Sequence, residues 1–334
     1  MCGVNLTWLD PEKLDDRDLA AAAAVLEAAR SHDAPYRVGE IVPTLTARLR
    51  HGPDGHPPTT ALARDGLGLP VGFVAVSFSR WDNPQRADMV VTVDPRRRRE
   101  GLGRRLFDAG LARVRDEGRT VLLGYGVDSP ALRGFATAVG MRQVFTMAVR
   151  RQDLRTVDRE RIDREFAAAG AHAAAYQLVR VPGRTPEELM PAVVALSEAI
   201  NDAPTDDMAV EREAYSRERI RAYEEAVLAR GQRLYRLLAR HRETGELAGH
   251  TVVGVDSHRP WHGFQHDTSV VGAHRGHRLG VLLKAGMVRW LAEVEPQLHT
   301  IDTNNAASNS HMVRVNEQLG YELLATSTSW QRQL

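Results

Sequence analysis

Residues 98 to 103 read Arg-Arg-Glu-Gly-Leu-Gly, directly after a β-branched run ending at Val93 and directly before a helix-forming stretch. A helix that begins there bares unpaired backbone N–H groups and a partial positive charge, and its glycines let a ligand come close to the main chain. Arg98, Arg99, Gly101, Leu102, Gly103 and Arg104 thus form a candidate anion site suited to a diphosphate. The flanking arginines, from Arg96 on, suit further phosphates, including a 3′-phosphate on an adenosine ribose. Residues 275 to 280, Arg-Gly-His-Arg-Leu-Gly, repeat the arrangement with Arg275, Gly276, Arg278, Leu279 and Gly280. Arg278 stands where the first turn has Gly101, and Gly276 restores close approach from a neighbouring position. Neither turn is a Walker A loop, which requires Gly-Lys-Ser/Thr. Neither is a dinucleotide fingerprint, which requires a third glycine and an acid ~20 residues on.

The elements around these turns are written twice. An Ala/Leu-rich helix ends at Asp33-Ala34-Pro35, and a second ends at Asp202-Ala203-Pro204. ALAR (61–64) with PVGFVAVSF matches LLAR (237–240) with LAGHTVVGV, two hairpins by their alternation and polar turns. MVVTVDPRRRREGLGRRLF (89–107) matches DTSVVGAHRGHRLGVLL (267–283), each a strand, a basic turn and a helix. VLLGYG (121–126) and TIDTNN (300–305) are strands, followed by helices ending at Gly140 and Gly320 and by a last strand. Each copy reads β-α-(α)-β-β-β-α-β-α-β, an α/β fold, α+β by strict naming: a mixed, mostly antiparallel sheet flanked by helices. The expected domains are 1–155 and 173–334, with the charged, Ala-rich stretch 156–172 as linker or bridging helix.

An R-x-x-G-x-G turn after a V-x-V-D-P strand resembles the acetyl-CoA pyrophosphate loop of the GNAT superfamily of N-acetyltransferases, and the resemblance covers essentially the whole chain, twice. It implies that Val91 and Val93 bind the pantetheine arm through their backbone and that the loop wraps the diphosphate, with Val270 and its loop doing the same in the second copy. Asn309, eleven residues before Gly320-Tyr321, holds the Asn slot of the family's second CoA motif, near Asn304. Many family members carry a Tyr seven residues after that Asn to protonate the leaving thiolate; here the slot holds Asn316. Ser129 and Ala136 fill the two slots in the first copy, which marks it as the more degenerate. The likeness also implies an acceptor wall at 201–207, where Asp202 and Asp206 suit a cationic amine, with Trp261 a further candidate.

Acyl transfer to an amine needs a proton acceptor, because an alkylammonium with a pKa near ~10 has no free lone pair at neutral pH. His266 and Asp267 stand on the strand before the second loop, a backbone N–H near Val270 is placed to polarise a thioester oxygen, and nine of the 13 histidines lie beyond residue 240. The expectation is a tandem GNAT enzyme whose second copy acetylates a small primary amine. A silent CoA sensor or scaffold and a protein or peptide N-acetyltransferase stand as rivals.

Composition is compatible. The 334 residues, 43% hydrophobic, suffice for two cores, and 44 basic against 43 acidic side chains give a net charge of +1, with no global pull toward nucleic acid or membrane. The single Cys2 and the lack of zinc-type spacing suggest a reducing, cytoplasmic setting without structural metal. The acidic N-terminus is unlike a signal peptide, and no apolar run spans a bilayer. Oligomeric state is not encoded.

Overall fold

In β2 (Thr59–Arg64) and β3 (Pro70–Phe78) the central residues, 60–63 and 71–76, are all buried, because helices cover both faces. Strand alternation sends Val74 and Val76 to one side and Phe73 and Ala75 to the other. The computed structural model describes residues 3–334, so Cys2 lies outside the described residues. Around these strands the first copy forms β1 (Asn5–Leu9), α1 (Asp16–Asp33), α2 (Val42–His51), β4 (Arg86–Val93), α3 (Leu102–Asp116), β5 (Val121–Val127), α4 (Pro130–Ala138) and β6 (Arg142–Asp153). Leu106, Phe107, Leu111 and Val114 of α3 pack on the Val74 face, and Leu19, Val25, Leu45 and Leu49 of α1 and α2 on the Phe73 face.

The second copy forms α5 (Arg159–His172), β7 (Tyr176–Pro182), α6 (Met190–Ser197), α7 (Arg217–Ala229), β8 (Gln232–His241), β9 (Leu247–Asp256), β10 (His262–Val270), α8 (Leu279–Val294), β11 (Thr300–Ala306), α9 (Ser310–Gln318) and β12 (Tyr321–Gln333). Leu282, Leu283, Met287 and Trp290 of α8 cover Tyr235, Leu237 and Val253, while α6 and α7 cover Leu234, Leu238 and Val252 on the other face. The charged stretch expected as a linker or bridging helix is the helix α5, and it belongs to this core. Ile162, Phe166 and Ala169, spaced i, i+4 and i+7, turn inward, and the charges occupy the remaining face.

The chain divides into two compact units, and neither is one continuous segment. Unit 1 is Met1–Thr146, Asp206–Glu211 and Thr326–Leu334; unit 2 is Met147–Thr205 and Arg212–Ala325. In unit 1 the strands run β1-β2-β3-β4-β5 and are completed beside β5 by Ser327–Gln333 of β12. In unit 2 they run β7-β8-β9-β10-β11 and are completed beside β11 by Met147–Asp153 of β6. Each unit therefore takes an antiparallel partner strand from the other copy. No helix among the described residues is long and apolar enough to cross a membrane.

Ending the chain after Ala325 removes the neighbour of β5 and the buried Trp330. The expected outcome is loss of about 3–5 kcal/mol from unit 1, by analogy with a Trp→Ala truncation, with rapid amide exchange across Val121–Val127. Calorimetry and exchange mass spectrometry measure both.

Candidate active site

In unit 1, β4 and β5 are parallel and pair from Arg86–Val121 to Met89–Gly124; β4 then runs on to Val93 and β5 to Val127 without further rungs. In unit 2, β10 and β11 pair from His262–Thr300 to Gln265–Thr303 and part in the same way. Asp94 donates its N–H to Val71 O and Val271 donates to Ala248 O, both toward the neighbouring antiparallel strand. Alternation along the strand then turns the N–H groups of Val91, Val93 and Val270 toward the gap between the parted strands.

Beyond the gap the two loops share a backbone. Arg99 and Gly101 sit at φ 67° and 80°, and Gly276 and Arg278 at φ 88° and 56°. Each turn therefore needs two left-handed residues, and the copies place their one glycine of the pair at opposite positions. That resolves the departure at Arg278: the conformation is kept and the cost, about 1–2 kcal/mol for a side chain in this region, is moved by two residues. The helices begin at Leu102 and Leu279, both buried, with their first N–H groups open toward the loop.

The same tie holds both loops. Arg98 Nε donates to Val93 O at 3.3 Å and its guanidinium grips Asp33 at 2.6 and 2.8 Å. Arg275 Nε donates to Val270 O at 3.2 Å and reaches Asp202 at 2.6 Å. Asp33 is held below the usual aspartate pKa, chiefly by its hydrogen bond from Arg98. The repeated Asp-Ala-Pro and the repeated loop arginine are partners, so Asp202 braces the loop before α8. Arg104 pairs with Asp108 at 3.1 Å and reaches Ala138 O, and Arg278 pairs with Glu165 at 3.1 Å. Asp206 belongs to unit 1 at φ 48°. Trp261 precedes β10 at its far end, roughly 30 Å of strand from Val270, and is not brought to the loop.

Behind the loop the copies differ. Arg97 of unit 1 bonds Asp65 at 2.9 Å and Glu100 at 3.1 Å. The matching positions of unit 2 are His274, His241 and His277, whose rings lie 5.2–5.7 Å from that of Tyr176, with Tyr176 Oη 3.0 Å from His274 Nδ1. Three of the C-terminal histidines are thus a brace for the turn. No group of three or more His, Cys, Asp or Glu among the described residues could hold a metal ion.

The larger difference is in the strand that feeds the loop. β4 pairs with β3 without interruption, whereas β10 shifts register against β9 between Gln265 and Thr268. His266 and Asp267 therefore oppose a single residue, a β-bulge, which leaves backbone groups unpaired and re-aims the side chains. Asp267 Oδ2 lies 2.6 Å from Nε2 of the buried His250, whose Nδ1 lies 2.8 Å from Arg236. A guanidinium only donates, so Nδ1 accepts and Nε2–H donates to Asp267. Arg236 lies 3.8 Å from Glu224, which is fully buried and accepts from Thr185 and Arg221. Burial works to raise the Asp267 pKa, yet His250 and Arg236 hold it below the ordinary aspartate value. Its Oδ1 is buried without a hydrogen-bond partner. Val90 occupies the matching position in unit 1.

His266 is packed edge-on against Tyr223 and Phe264 and lies 3.0 Å from Gln232 Oε1. Burial lowers its pKa to about 4, so the ring is neutral at pH 7. Asn309 caps α9 by accepting from Met312 N at 3.1 Å, and Ser129 caps α4 likewise. Asn316 is wholly buried and donates to Asn305 Oδ1 at 2.5 Å, while Asn304 Oδ1, on the stretch of β11 that has left β10, is buried with no partner. His250, Arg236 and Glu224 escaped the sequence reading. For Arg236 and His250 the signal was a charged or polar residue inside an apolar run, LYRLLAR and LAGHTVVG; Glu224, one of two adjacent glutamates in RAYEEAV, carried none.

Gly280, in the first turn of α8, has open space where a Cβ would go, whereas at Gly103 a Cβ would meet Phe135 at 3.2 Å. Gly280→Ala should therefore raise the stability of the ligand-free protein by up to about 1 kcal/mol while weakening CoA binding, opposite signs read by thermal unfolding and calorimetry. The folded state keeps His266 neutral down to about pH 4, whereas an unfolded histidine takes up its proton near pH 6.5. Stability is thus lost as pH falls from about 6.5 to about 4, by about 3 kcal/mol for this group. His266→Phe should flatten that part of the stability curve.

Comparison with known proteins agrees with this geometry. Residues 22–141 match the model of the acetyltransferase (GNAT) family. No curated protein matches the chain by sequence. Among solved structures, a tandem GNAT protein from the clavulanic acid biosynthesis pathway, solved without AcCoA, superimposes with a TM-score of 0.81 at 26% identity, covering 99% of this chain and 98% of that one. A GCN5-related N-acetyltransferase from Sphaerobacter thermophilus gives 0.70 at 16%, covering 99% and 95%. A putative acetyltransferase from Pyrococcus horikoshii gives 0.58 at 16%, covering 99% and 90%; these last two show the fold alone. The first copy thus matches the GNAT acetyltransferase family over residues 22–141, and the chain as a whole is similar in fold, end to end, to a tandem GNAT protein.

Proposed function

We propose that unit 2 transfers the acetyl group of acetyl-CoA to a primary amine of a small molecule. The observation that carries this reading is Asp267, presented by the β10 bulge at the strand that enters the phosphate loop and backed by His250 and Arg236. The residues present fit CoA: the Cβ-free space over Gly280, the two left-handed turns and the buried, unpartnered Asn304 Oδ1 beside the strand gap all accommodate a phosphate and an amide-bearing arm. Val270, Arg275, Gly276 and the N–H groups from Leu279 on would hold it, with Gly101 to Arg104 as counterparts in unit 1. When bound, it supplies the acetyl group as a thioester.

Asp267, ionised at neutral pH, draws in the alkylammonium and accepts its proton through a water molecule, freeing the nitrogen lone pair. In becoming an amide the ammonium gives up two protons as its N–C bond replaces the C–S bond: one would go to the departing sulfur and the other would leave through Asp267 and water to solvent, which returns the carboxylate to its ionised form. His250 and Arg236 keep the carboxylate oriented. Unit 1, with Val90 in place of the carboxylate and an uninterrupted β4, acts as a CoA-binding module. The chain works without a metal, nucleic-acid or membrane partner, and a cytoplasmic setting suits its acetyl donor.

Thiol release from acetyl-CoA across polyamines, aminoglycosides, amino acids and peptides tests this. Asp267→Asn should lower kcat by roughly 10²–10⁴-fold with CoA binding retained. Gly280→Glu should abolish turnover and Gly103→Glu should not; the reverse result would assign catalysis to unit 1. Tight CoA binding with no turnover would favour the silent sensor, and turnover with peptides alone the protein acetyltransferase.

A further inference from the structure

Lys284 lies on α8 one turn beyond Gly280, and it is almost wholly buried at 2% exposure. Its Nζ donates to Gln265 Oε1 at 3.1 Å and stands 4.6 Å from the centre of the Tyr321 ring. The Gln265 amide nitrogen faces Thr251 Oγ1 at 2.7 Å, Val252 O at 2.9 Å and Asp267 O at 3.3 Å. Those acceptors surround the bulge: Val252 is the residue opposite it and Asp267 lies within it. Thr251 and Thr268 close the far side through their hydroxyls at 2.7 Å.

Unit 1 shows what the same place looks like without a bulge. By the shared strand register and helix start, Met89 corresponds to Gln265, Phe107 to Lys284 and Met141 to Tyr321. Those three are apolar and pack together in the unit 1 core beneath a regular β4. In unit 2 all three carry polar groups and the strand is bulged. Burying an ammonium without a carboxylate is unfavourable for folding, and burial alone lowers the Lys284 pKa to about 7. Stability does not explain these side chains.

We propose that Lys284 and Gln265 are positioning residues: the buried amine of Lys284 orients the Gln265 amide, and that amide fixes the bulge that presents Asp267. The inference rests on the reading of Asp267 as the proton acceptor, and the two fail separately. Hydrogen–deuterium exchange of the full chain, followed on peptides spanning 262–270, is the test. In Lys284→Met exchange at the bulge should quicken about tenfold while α9 peptides and the thermal midpoint hold or improve. Lys284→Gln, which keeps a donor toward Gln265, should restore slow exchange. Gln265→Met, in which Lys284 is intact, should match Lys284→Met. With an amine found active in the thiol-release panel, kcat should fall at least tenfold in Lys284→Met with the KM for acetyl-CoA unchanged.

Unaltered exchange in both Lys284→Met and Gln265→Met overturns the proposal, whether or not the protein acetylates amines. Quickened exchange with kcat unchanged removes the catalytic role of the pin. Quickened exchange in a protein that acetylates nothing in the panel supports the pin and counts against the functional reading instead.

Discussion

Two residues at positive φ turn the chain from strand into helix in each unit, and what the site offers a ligand depends on that turn. The geometry leaves the first N–H groups of α3 and α8 unpaired and facing the parted strands, where an anion is stabilised by directed donors and by the helix dipole. Side-chain charge is secondary, because the loop arginines are largely engaged by the protein itself: Arg98 with Asp33, Arg275 with Asp202, Arg97 with Asp65 and Glu100. Their work is to hold the turn in shape. Exposed pairs of this kind add only about 0–1 kcal/mol each, so shape is the greater gain.

Around this shared turn the copies have diverged in a consistent direction. Unit 1 has exchanged polarity for packing: Val90, Met89, Phe107 and Met141 stand where unit 2 has Asp267, Gln265, Lys284 and Tyr321. Unit 2 carries the less favourable core, with Lys284, Arg236, Glu224 and His250 all nearly inaccessible to solvent. Buried polar groups of this number are tolerable only when linked, and here they form two chains that meet β10 from opposite faces at its bulge.

What could be read from the sequence was what is local. The turns, their glycines and the strand before each are specified by neighbouring residues, and the repeat of Asp-Ala-Pro was visible although its role as the arginine's partner was not. In α5 the charges around Ile162, Phe166 and Ala169 mask the inward-facing stripe, so its sequence reads as a linker or bridging helix and not as core. Strand exchange between the copies has no local signature: nothing in the residue pattern of β6 or β12 names the neighbour it joins. Asp267 was legible as a candidate, but His250, Arg236, Lys284 and Gln265 acquire meaning only when strands distant in sequence lie side by side.

The most direct measurement of the central claim is the electron density of crystals grown with acetyl-CoA. The account predicts the diphosphate against the N–H groups at the start of α8, the pantetheine arm in the gap between β10 and β11, and the thioester within about 3–3.5 Å of where an amine held by Asp267 would stand. Density for the coenzyme away from that helix start, or a thioester pointing away from the bulge, would contradict it.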